Sequence, residues 1–131
     1  MAKPIHTMIR VLDLDRSIAF YAEAFGFAPA DRYDSPDFTL VYLRTPEDEF
    51  ELEFTLNKGR TNPYSHGDGY GHLALSVNDL AATYGHCASH GLRPTPVKEL
   101  HHEGKLLARF FFLEDPDGYK IEVLQRQGRY P

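Results

Sequence analysis

The stretches "HTMIRVLDL" (6–14) and "HLALSVNDL" (72–80) follow one pattern, and this repetition is the main indication of how the chain folds. Both begin with a histidine and end in Asp-Leu, with a valine two residues before the aspartate. The offset between His6 and His72 is 66 residues. Because an internal repeat indicates a structural unit that occurs more than once, the sequence predicts two copies of one module.

A helical pattern follows each copy. Asp13 or Asp15 is placed to cap the first helix, since a carboxylate there accepts a hydrogen bond from a free backbone N–H. Gly26 follows the last turn, where a left-handed residue often ends a helix. The apolar stripe of this helix is predicted to consist of Leu14, Ile18, Tyr21, Ala22 and Phe25. The second helix has equivalent signals, which are Asn78 or Asp79 at its start, Gly91 at its end, and a stripe of Leu80, Tyr84, Cys87 and Ala88.

Three strand-like runs follow each helix and are separated by turn signals. They are residues 27–33, 38–44 and 50–56 in the first copy, and 94–100, 107–113 and 119–125 in the second. Each copy therefore has the order βαβββ, and the predicted fold class is α+β with two βαβββ modules in tandem. We expect a single domain over residues 1–131, with module one at about 4–57, a linker at about 58–69 and module two at about 70–126.

The bulk composition excludes several classes of protein. The net charge of −5 and the pI near 5.7 give no basic surface for nucleic acid. No apolar run is long enough to cross a membrane, and no signal-peptide pattern precedes the repeat. Cys87 is the single cysteine, so no intrachain disulfide can form and a reducing compartment is expected. We therefore expect a cytoplasmic protein that acts on small molecules.

Four polar residues lie on strands whose other residues are largely apolar. Side chains alternate between the two faces of a strand. By this parity, His6 and His72 begin the polar face of each module's first strand, and Glu53 and Glu122 lie on the polar face of its last strand. A single residue of this kind is usually structural, but four at equivalent places in a repeat suit a divalent metal. The other histidines lie in predicted loops or on a helix and are weaker candidates: His66, His86, His90, His101 and His102.

Four motifs of the chain resemble the glyoxalase I family of the vicinal oxygen chelate superfamily. They are "HTMIRVLDLDRSIAFY" (6–21), "LEFTLNKG" (52–59), "YGHLALSV" (70–77) and "EDPDGYKIEVL" (114–124), and the resemblance extends from about residue 6 to residue 125. It implies the glyoxalase/bleomycin-resistance/dioxygenase-like fold, with sheets curling round a metal-binding cleft. It also implies that the metal ligands are His6, Glu53, His72 and Glu122.

The resemblance further implies a homodimer with its sites at the interface. Each metal would take His6 and Glu53 from one chain and His72 and Glu122 from the other. The chain is short and lacks the insertions of the zinc-type enzymes, so it is similar to the bacterial group activated by Ni²⁺ or Co²⁺. Zn²⁺ would bind the same ligands and remains an alternative.

The implied reaction is isomerisation of the hemithioacetal of methylglyoxal and glutathione to S-D-lactoylglutathione. The catalytic base would be Glu122, with Glu53 as its symmetric partner, while the metal acts as a Lewis acid on the enediolate. Arg10 and Asn57 match positions that hold the glutamyl part of the co-substrate glutathione, and each lies ~13 Å along its strand from a proposed ligand. Lys58 departs from the family, which often has tryptophan there.

Other functions within the superfamily are alternatives to the lyase. Thiol transferases and dioxygenases use two histidines and one carboxylate, so a fourth ligand at Glu53 favours the lyase over both. An epimerase is a further alternative. A drug-binding resistance protein is the last, and it would need an apolar cleft without metal ligands.

Overall fold

The protein is described over its whole length, Met1–Pro131, by a computed structural model. Its internal contacts divide into two compact units, Met1–Ser65 (unit 1) and His66–Pro131 (unit 2). Each unit contains one helix and one four-stranded sheet. Neither helix combines the length and the apolar character that spanning a bilayer requires.

The order of elements is the same in the two units. Unit 1 consists of β1 (His6–Arg10), α1 (Leu14–Phe25), β2 (Ala28–Asp34), β3 (Phe38–Arg44) and β4 (Glu51–Asn57). Unit 2 consists of β5 (Leu73–Val77), α2 (Leu80–Ser89), β6 (Lys98–His102), β7 (Lys105–Glu114) and β8 (Lys120–Gln125). The predicted α+β class with two βαβββ modules in tandem is therefore confirmed.

Both sheets have the same topology. The strand orders are β1-β4-β3-β2 and β5-β8-β7-β6. In each unit the first strand pairs in parallel with the last, and the remaining pairs are antiparallel. The parallel pair is possible because a helix and two strands intervene along the chain, which is long enough for a crossover connection.

The sequence signals set the ends of α1. The Asp13 carboxylate, and not Asp15, accepts a hydrogen bond from the backbone N–H of Arg16 at 3.0 Å. Gly26 follows with a left-handed φ of 76°, and its N–H donates to the carbonyl of Ala22 at 2.9 Å. A side chain at this φ is strained, so glycine is the favoured residue at the helix end.

The same devices bound α2. The Asp79 carboxylate accepts from the N–H of Ala82 at 3.0 Å, so Asp79 is the cap and Asn78 is not. At the other end His90 occupies the C-cap position, and Gly91 follows with a left-handed φ of 72°.

The predicted apolar stripe of α1 is partly wrong. Leu14 and Tyr21 are buried as expected, but Ala22 is exposed. Tyr21 packs against Phe54 of the sheet with ring centroids 5.4 Å apart, which fixes the rotation of the helix. The residues buried in addition, which the stripe omitted, are Ser17, Phe20 and Ala24. Two of these are small, so they let the helix lie close to the sheet.

The first strand predicted after α2 is shorter than expected. The run 94–100 was predicted as extended, but β6 begins at Lys98. Pro94 and Pro96 have no N–H to donate to a strand ladder. Thr95 lies between them and bonds to Phe112 of β7, donating its N–H at 2.9 Å and accepting at its Oγ1 at 2.8 Å.

We expect Asp13→Ala to lower the free energy of unfolding by about 0.5–2 kcal/mol, because the N–H of Arg16 loses its acceptor. Asp13→Asn keeps a side-chain oxygen at the cap and should retain most of the stability. Urea unfolding followed by circular dichroism measures both variants. Equal unfolding free energies for Asp13→Ala and the parent protein would contradict the capping role.

Candidate metal centre

The parallel strands β1 and β4 bring His6 and Glu53 together in unit 1. His6 opens β1, and Glu53 lies opposite Met8 on β4, two residues along on the face that carries His6. The Nε2 atom of His6 lies 3.1 Å from Oε1 of Glu53. We call these two residues the first His–Glu pair.

Unit 2 repeats this arrangement with its own residues. His72 directly precedes β5, and Glu122 lies opposite Ala74 on β8, again two residues along. The Nε2 atom of His72 lies 3.3 Å from Oε1 of Glu122. We call these residues the second His–Glu pair. The two pairs therefore have the same register on sheets that also have the same strand order.

Both pairs combine a sheltered carboxylate with a more open imidazole. The side chain of Glu53 is 10% exposed and that of His6 is 36% exposed. For Glu122 and His72 the corresponding values are 19% and 39%. A sheltered carboxylate is costly unless a partner compensates its charge. The exposed imidazoles leave each pair accessible to an ion from solvent.

An aromatic ring flanks each histidine edge-on. Tyr42 of β3 lies opposite Glu53, and its ring centroid is 5.9 Å from that of His6 at an interplanar angle of 80°. Phe112 of β7 lies opposite Glu122, and its ring centroid is 5.3 Å from that of His72 at 81°. These flanking rings were missed in the sequence analysis, although Tyr42 and Phe112 occupy equivalent places in the repeat.

The Tyr42 ring lies opposite Glu53 on the neighbouring strand. Burial and the negative charge of Glu53 raise the pKa of Tyr42 above its ordinary value. The phenol is therefore protonated at neutral pH.

Arg10 and Asn57 lie farther along the same two strands. Arg10 pairs with Thr55, and Asn57 is two residues beyond Thr55, so their relation repeats that of His6 to Glu53. The Asn57 Nδ2 donates to the hydroxyl of Tyr64 at 3.1 Å, and the Arg60 guanidinium lies 4.2 Å above the Tyr64 ring. Tyr64 is a further residue that the sequence analysis did not identify.

Three other acidic or histidine residues near these strands or in the loops have partners of their own. Glu51 shares a strand face with Glu53, but Nη2 of Arg44 lies 3.1 Å from its Oε2. His101 lies 3.6 Å from Glu99 on an exposed hairpin. His66 stacks on the ring of Tyr119 at 4.1 Å. Cys87 is completely buried.

The donor atoms of the two His–Glu pairs fit a divalent cation. Each pair offers one imidazole nitrogen and one carboxylate oxygen close together. Imidazole nitrogen and carboxylate oxygen are ligand atoms that Zn²⁺, Ni²⁺ and Co²⁺ accept. A bound cation would also compensate the sheltered charges of the glutamates.

Comparison with known proteins gives consistent matches over nearly the whole chain. The family model of the Glyoxalase/Bleomycin resistance protein/Dioxygenase superfamily matches residues 3–123. The chain is 39% identical to the lactoylglutathione lyase of Haemophilus influenzae, covering 94% of this chain and 92% of that protein. It is 38% identical to a probable lactoylglutathione lyase of Synechocystis, covering 95% and 96%. The solved trypanothione-dependent glyoxalase I of Leishmania major is 37% identical, with a TM-score of 0.76 over 95% of this chain and 87% of that one.

The repeated βαβββ unit and these matches define the class of protein. The chain belongs to the Glyoxalase/Bleomycin resistance protein/Dioxygenase superfamily.

We expect His6→Ala and His72→Ala each to weaken Ni²⁺ binding by more than the ~10–100-fold typical of losing a group that merely supports a ligand. The matched control is His101→Ala, since His101 also lies beside a glutamate but in an exposed hairpin. Isothermal titration of the metal-stripped proteins measures the affinities. Similar losses for His101→Ala, or unchanged binding for the other two variants, would contradict the assignment.

Proposed function

We propose that this protein is a lactoylglutathione lyase, which converts the hemithioacetal of methylglyoxal and glutathione to S-D-lactoylglutathione and so detoxifies methylglyoxal. The observation that carries the proposal is the His–Glu pair, present in both units at the same register. The relatives named lactoylglutathione lyase, 38–39% identical over nearly their whole length, support the same activity.

The proposed metal ligands are His6, Glu53, His72 and Glu122. Each unit supplies one nitrogen and one carboxylate, so a four-ligand site needs both kinds of pair. We propose a homodimer in which the first pair of one subunit and the second pair of the other hold one cation, with Ni²⁺ or Co²⁺ favoured and Zn²⁺ as the alternative. Bound there, a divalent metal would supply a Lewis acid that stabilises negative charge on the two neighbouring oxygens of the substrate.

Glu122 is the proposed catalytic base. Its carboxylate accepts the proton from C1 of the hemithioacetal and returns it to C2. A hydroxyl proton passes from the C1 oxygen to the C2 oxygen, so the product is an isomer and no atom is gained or lost. Glu53 is its symmetric partner and the second proposed catalytic carboxylate. Glu122 is the more exposed of the two, so its carboxylate is the more accessible to a substrate.

Arg10 and Asn57 are proposed to hold the glutamyl end of glutathione. A guanidinium binds a carboxylate through paired hydrogen bonds. The Asn57 amide is oriented by Tyr64, which accepts from its Nδ2, and this leaves the Asn57 oxygen to accept from an ammonium group. The strand spacing of ~13 Å between Arg10 and His6 suits a tripeptide whose thiol end lies at the metal.

The cytoplasm is the proposed compartment. Glutathione is kept reduced there, and the reaction needs the free thiol. The single cysteine, Cys87, is free and buried, so the fold does not need a disulfide or an oxidising environment.

Dioxygenase or thiol-transferase activity fits these residues less well. A site of two histidines and one carboxylate would leave Glu53 without a metal. In this protein Glu53 is the more sheltered of the two glutamates and has its own histidine at 3.1 Å. The lyase is therefore the function that uses all four residues.

We expect Glu122→Gln to retain the metal but to lower kcat by about 10²–10⁴-fold, because the amide cannot accept the substrate proton. The matched control is Glu114→Gln, an exposed carboxylate at the end of the neighbouring strand β7. Bound metal is measured by elemental analysis and kcat by the absorbance of the thioester product. A Glu122→Gln variant that holds metal and keeps the parent activity would refute the role of Glu122.

The proposed function is tested directly by stripping the metal and reconstituting the protein separately with Ni²⁺, Co²⁺ and Zn²⁺. With methylglyoxal and glutathione, we expect thioester formation with Ni²⁺ or Co²⁺ and little with Zn²⁺. Activity with Zn²⁺ alone would reverse the assignment of the metal and leave the lyase in place. Stoichiometric metal binding without thioester formation under any of the three metals would overturn the lyase.

A further inference from the structure

The C-terminal end of α2 carries two histidines that do not belong to either His–Glu pair. His86 and His90 are four residues apart, and the backbone N–H of His90 donates to the carbonyl of His86 at 3.1 Å, as within a helix. Residues at this spacing lie above one another on one helix face. Both side chains are exposed, and their ring centroids are 4.2 Å apart at an interplanar angle of 36°.

The backbone that presents these rings is fixed at the helix end. The N–H of Gly91 donates to the carbonyl of Ala88 at 3.2 Å, and the N–H of Leu92 donates to the carbonyl of Cys87 at 3.0 Å. These bonds close the last turn, and Gly91 takes the left-handed φ that such an ending requires. Cys87 is completely buried, so this turn is held in the core of unit 2.

One hydrogen bond decides which nitrogen of His90 carries the proton. The Nδ1 atom of His90 lies 2.8 Å from the carbonyl oxygen of His86. A carbonyl oxygen can only accept, so Nδ1 donates and the neutral ring has its lone pair on Nε2. Ser89 Oγ donates to the same carbonyl at 2.9 Å and lies 3.1 Å from the His90 Nδ1. Metal-ligating histidines are typically oriented in this way, with one ring N–H held by a backbone carbonyl.

The two imidazoles are close enough to share one cation. A ring nitrogen of His86 lies within 4.8 Å of a ring nitrogen of His90. In the His-Glu-x-x-His motif of metalloproteases, two histidines at this helical spacing bind one Zn²⁺. The end of α2 at which they lie also favours positive charge, because the helix dipole places its negative pole there.

The two histidines lie on the other side of the sheet from the second His–Glu pair. Tyr84 of α2 packs edge-on against Phe111 of β7, with ring centroids 5.4 Å apart. The next residue, Phe112, packs against His72. Successive residues of a strand point to opposite faces, so α2 covers one face of the sheet and the second His–Glu pair lies on the other. An ion at the helix end is therefore separate from one bound by that pair.

We propose that His86 and His90 form a second transition-metal site, which we call the helix histidine site, where two imidazole nitrogens bind one divalent cation and water completes its coordination. Imidazole suits Cu²⁺, Ni²⁺ and Zn²⁺, whereas Mg²⁺ and Ca²⁺ prefer oxygen ligands. Among these ions Cu²⁺ binds nitrogen ligands most tightly. The proposal does not rest on the lyase activity.

The test titrates the metal-stripped protein with Cu²⁺ by isothermal titration calorimetry. We expect the parent protein to show a class of one ion per chain that His86→Ala and His90→Ala each weaken by about 100-fold, at the lower end of the gain from tethering two binding groups. The double variant should bind about as weakly as either single variant, because one imidazole no longer chelates. A 100-fold excess of Mg²⁺ should not compete.

The matched controls are His101→Ala and His102→Ala. These histidines are also exposed and close in sequence, but they are adjacent on β6, so their side chains point to opposite faces and cannot chelate one ion together. Neither substitution should alter Cu²⁺ binding at the helix histidine site. Thermal unfolding without metal checks that all variants keep the fold.

Electron paramagnetic resonance identifies the ligands. In a His6→Ala/His72→Ala background, which removes the imidazoles of both His–Glu pairs, bound Cu²⁺ should show coupling to two nitrogens. After the further change His86→Ala, that two-nitrogen signal should be lost. Retention of the two-nitrogen signal would overturn the proposal.

Two results of the titration would also overturn it. The first is the same Cu²⁺ affinity in the parent protein and in both single variants. The second is the loss of half of the bound ions at unchanged affinity in each single variant, because the two histidines would then bind separately. Failure of the lyase is distinguishable, since it is measured by thioester formation and the helix histidine site is measured with metal alone.

Discussion

The parallel pairing of the first and last strands within each unit is the constraint on which both His–Glu pairs depend. Strands β1 and β4 run in the same direction, so residues advance together along the pair and the histidine keeps a fixed offset of two residues from its glutamate. Side chains alternate with a period of two, and a slip of one residue would exchange Glu53 with the fully buried Phe54. The buried apolar residues of β4 therefore fix its register with β1, and this register is the one that brings Glu53 close to His6. The same holds for β5 and β8, where Ile121 and Val123 are completely buried on either side of Glu122.

This coupling explains how sheltered charges are tolerated in a small unit. Each glutamate lies on a strand whose neighbouring residues are buried in the core. The packing of those apolar residues fixes the backbone, and the backbone in turn fixes the position of the glutamate. Each carboxylate lies within 3.1–3.3 Å of an imidazole nitrogen of its own unit. Each His–Glu pair is therefore a polar group on an apolar sheet, and its histidine is the member that is more exposed to solvent.

The features that depend on local sequence patterns, which are the strand faces and the helix caps, were predictable from the sequence. Strand parity placed the four polar residues on the faces where the structure has them, and the helix caps followed from Asp and Gly at fixed positions. The buried face of α1 was less predictable, because the polar Ser17 is buried and the apolar Ala22 is exposed. Which residues a helix buries depends on how it rotates against the sheet, and here the contact of Tyr21 with Phe54 decides it.

The positions of Tyr42 and Phe112 beside the two His–Glu pairs could not be derived from any one strand. Tyr42 has the appearance of a core residue when β3 is taken alone, since aromatic residues are common in strands. Its relation to Glu53 depends on the register between β3 and β4, which is a property of two segments. Comparison of the two copies of the repeat would have exposed the difference, because Tyr42 and Phe112 are equivalent positions. That comparison carries information that neither copy carries alone.

The difference between Tyr42 and Phe112 also shows what an internal repeat makes available to a pair of similar sites. Where one unit is used twice by symmetry, any substitution alters both halves at once. In this chain the residues opposite Glu53 and Glu122 are encoded separately, so one side can carry a phenol while the other carries a bare ring. Two similar units can in this way come to differ beside their glutamates, with no change in the strand order that carries them.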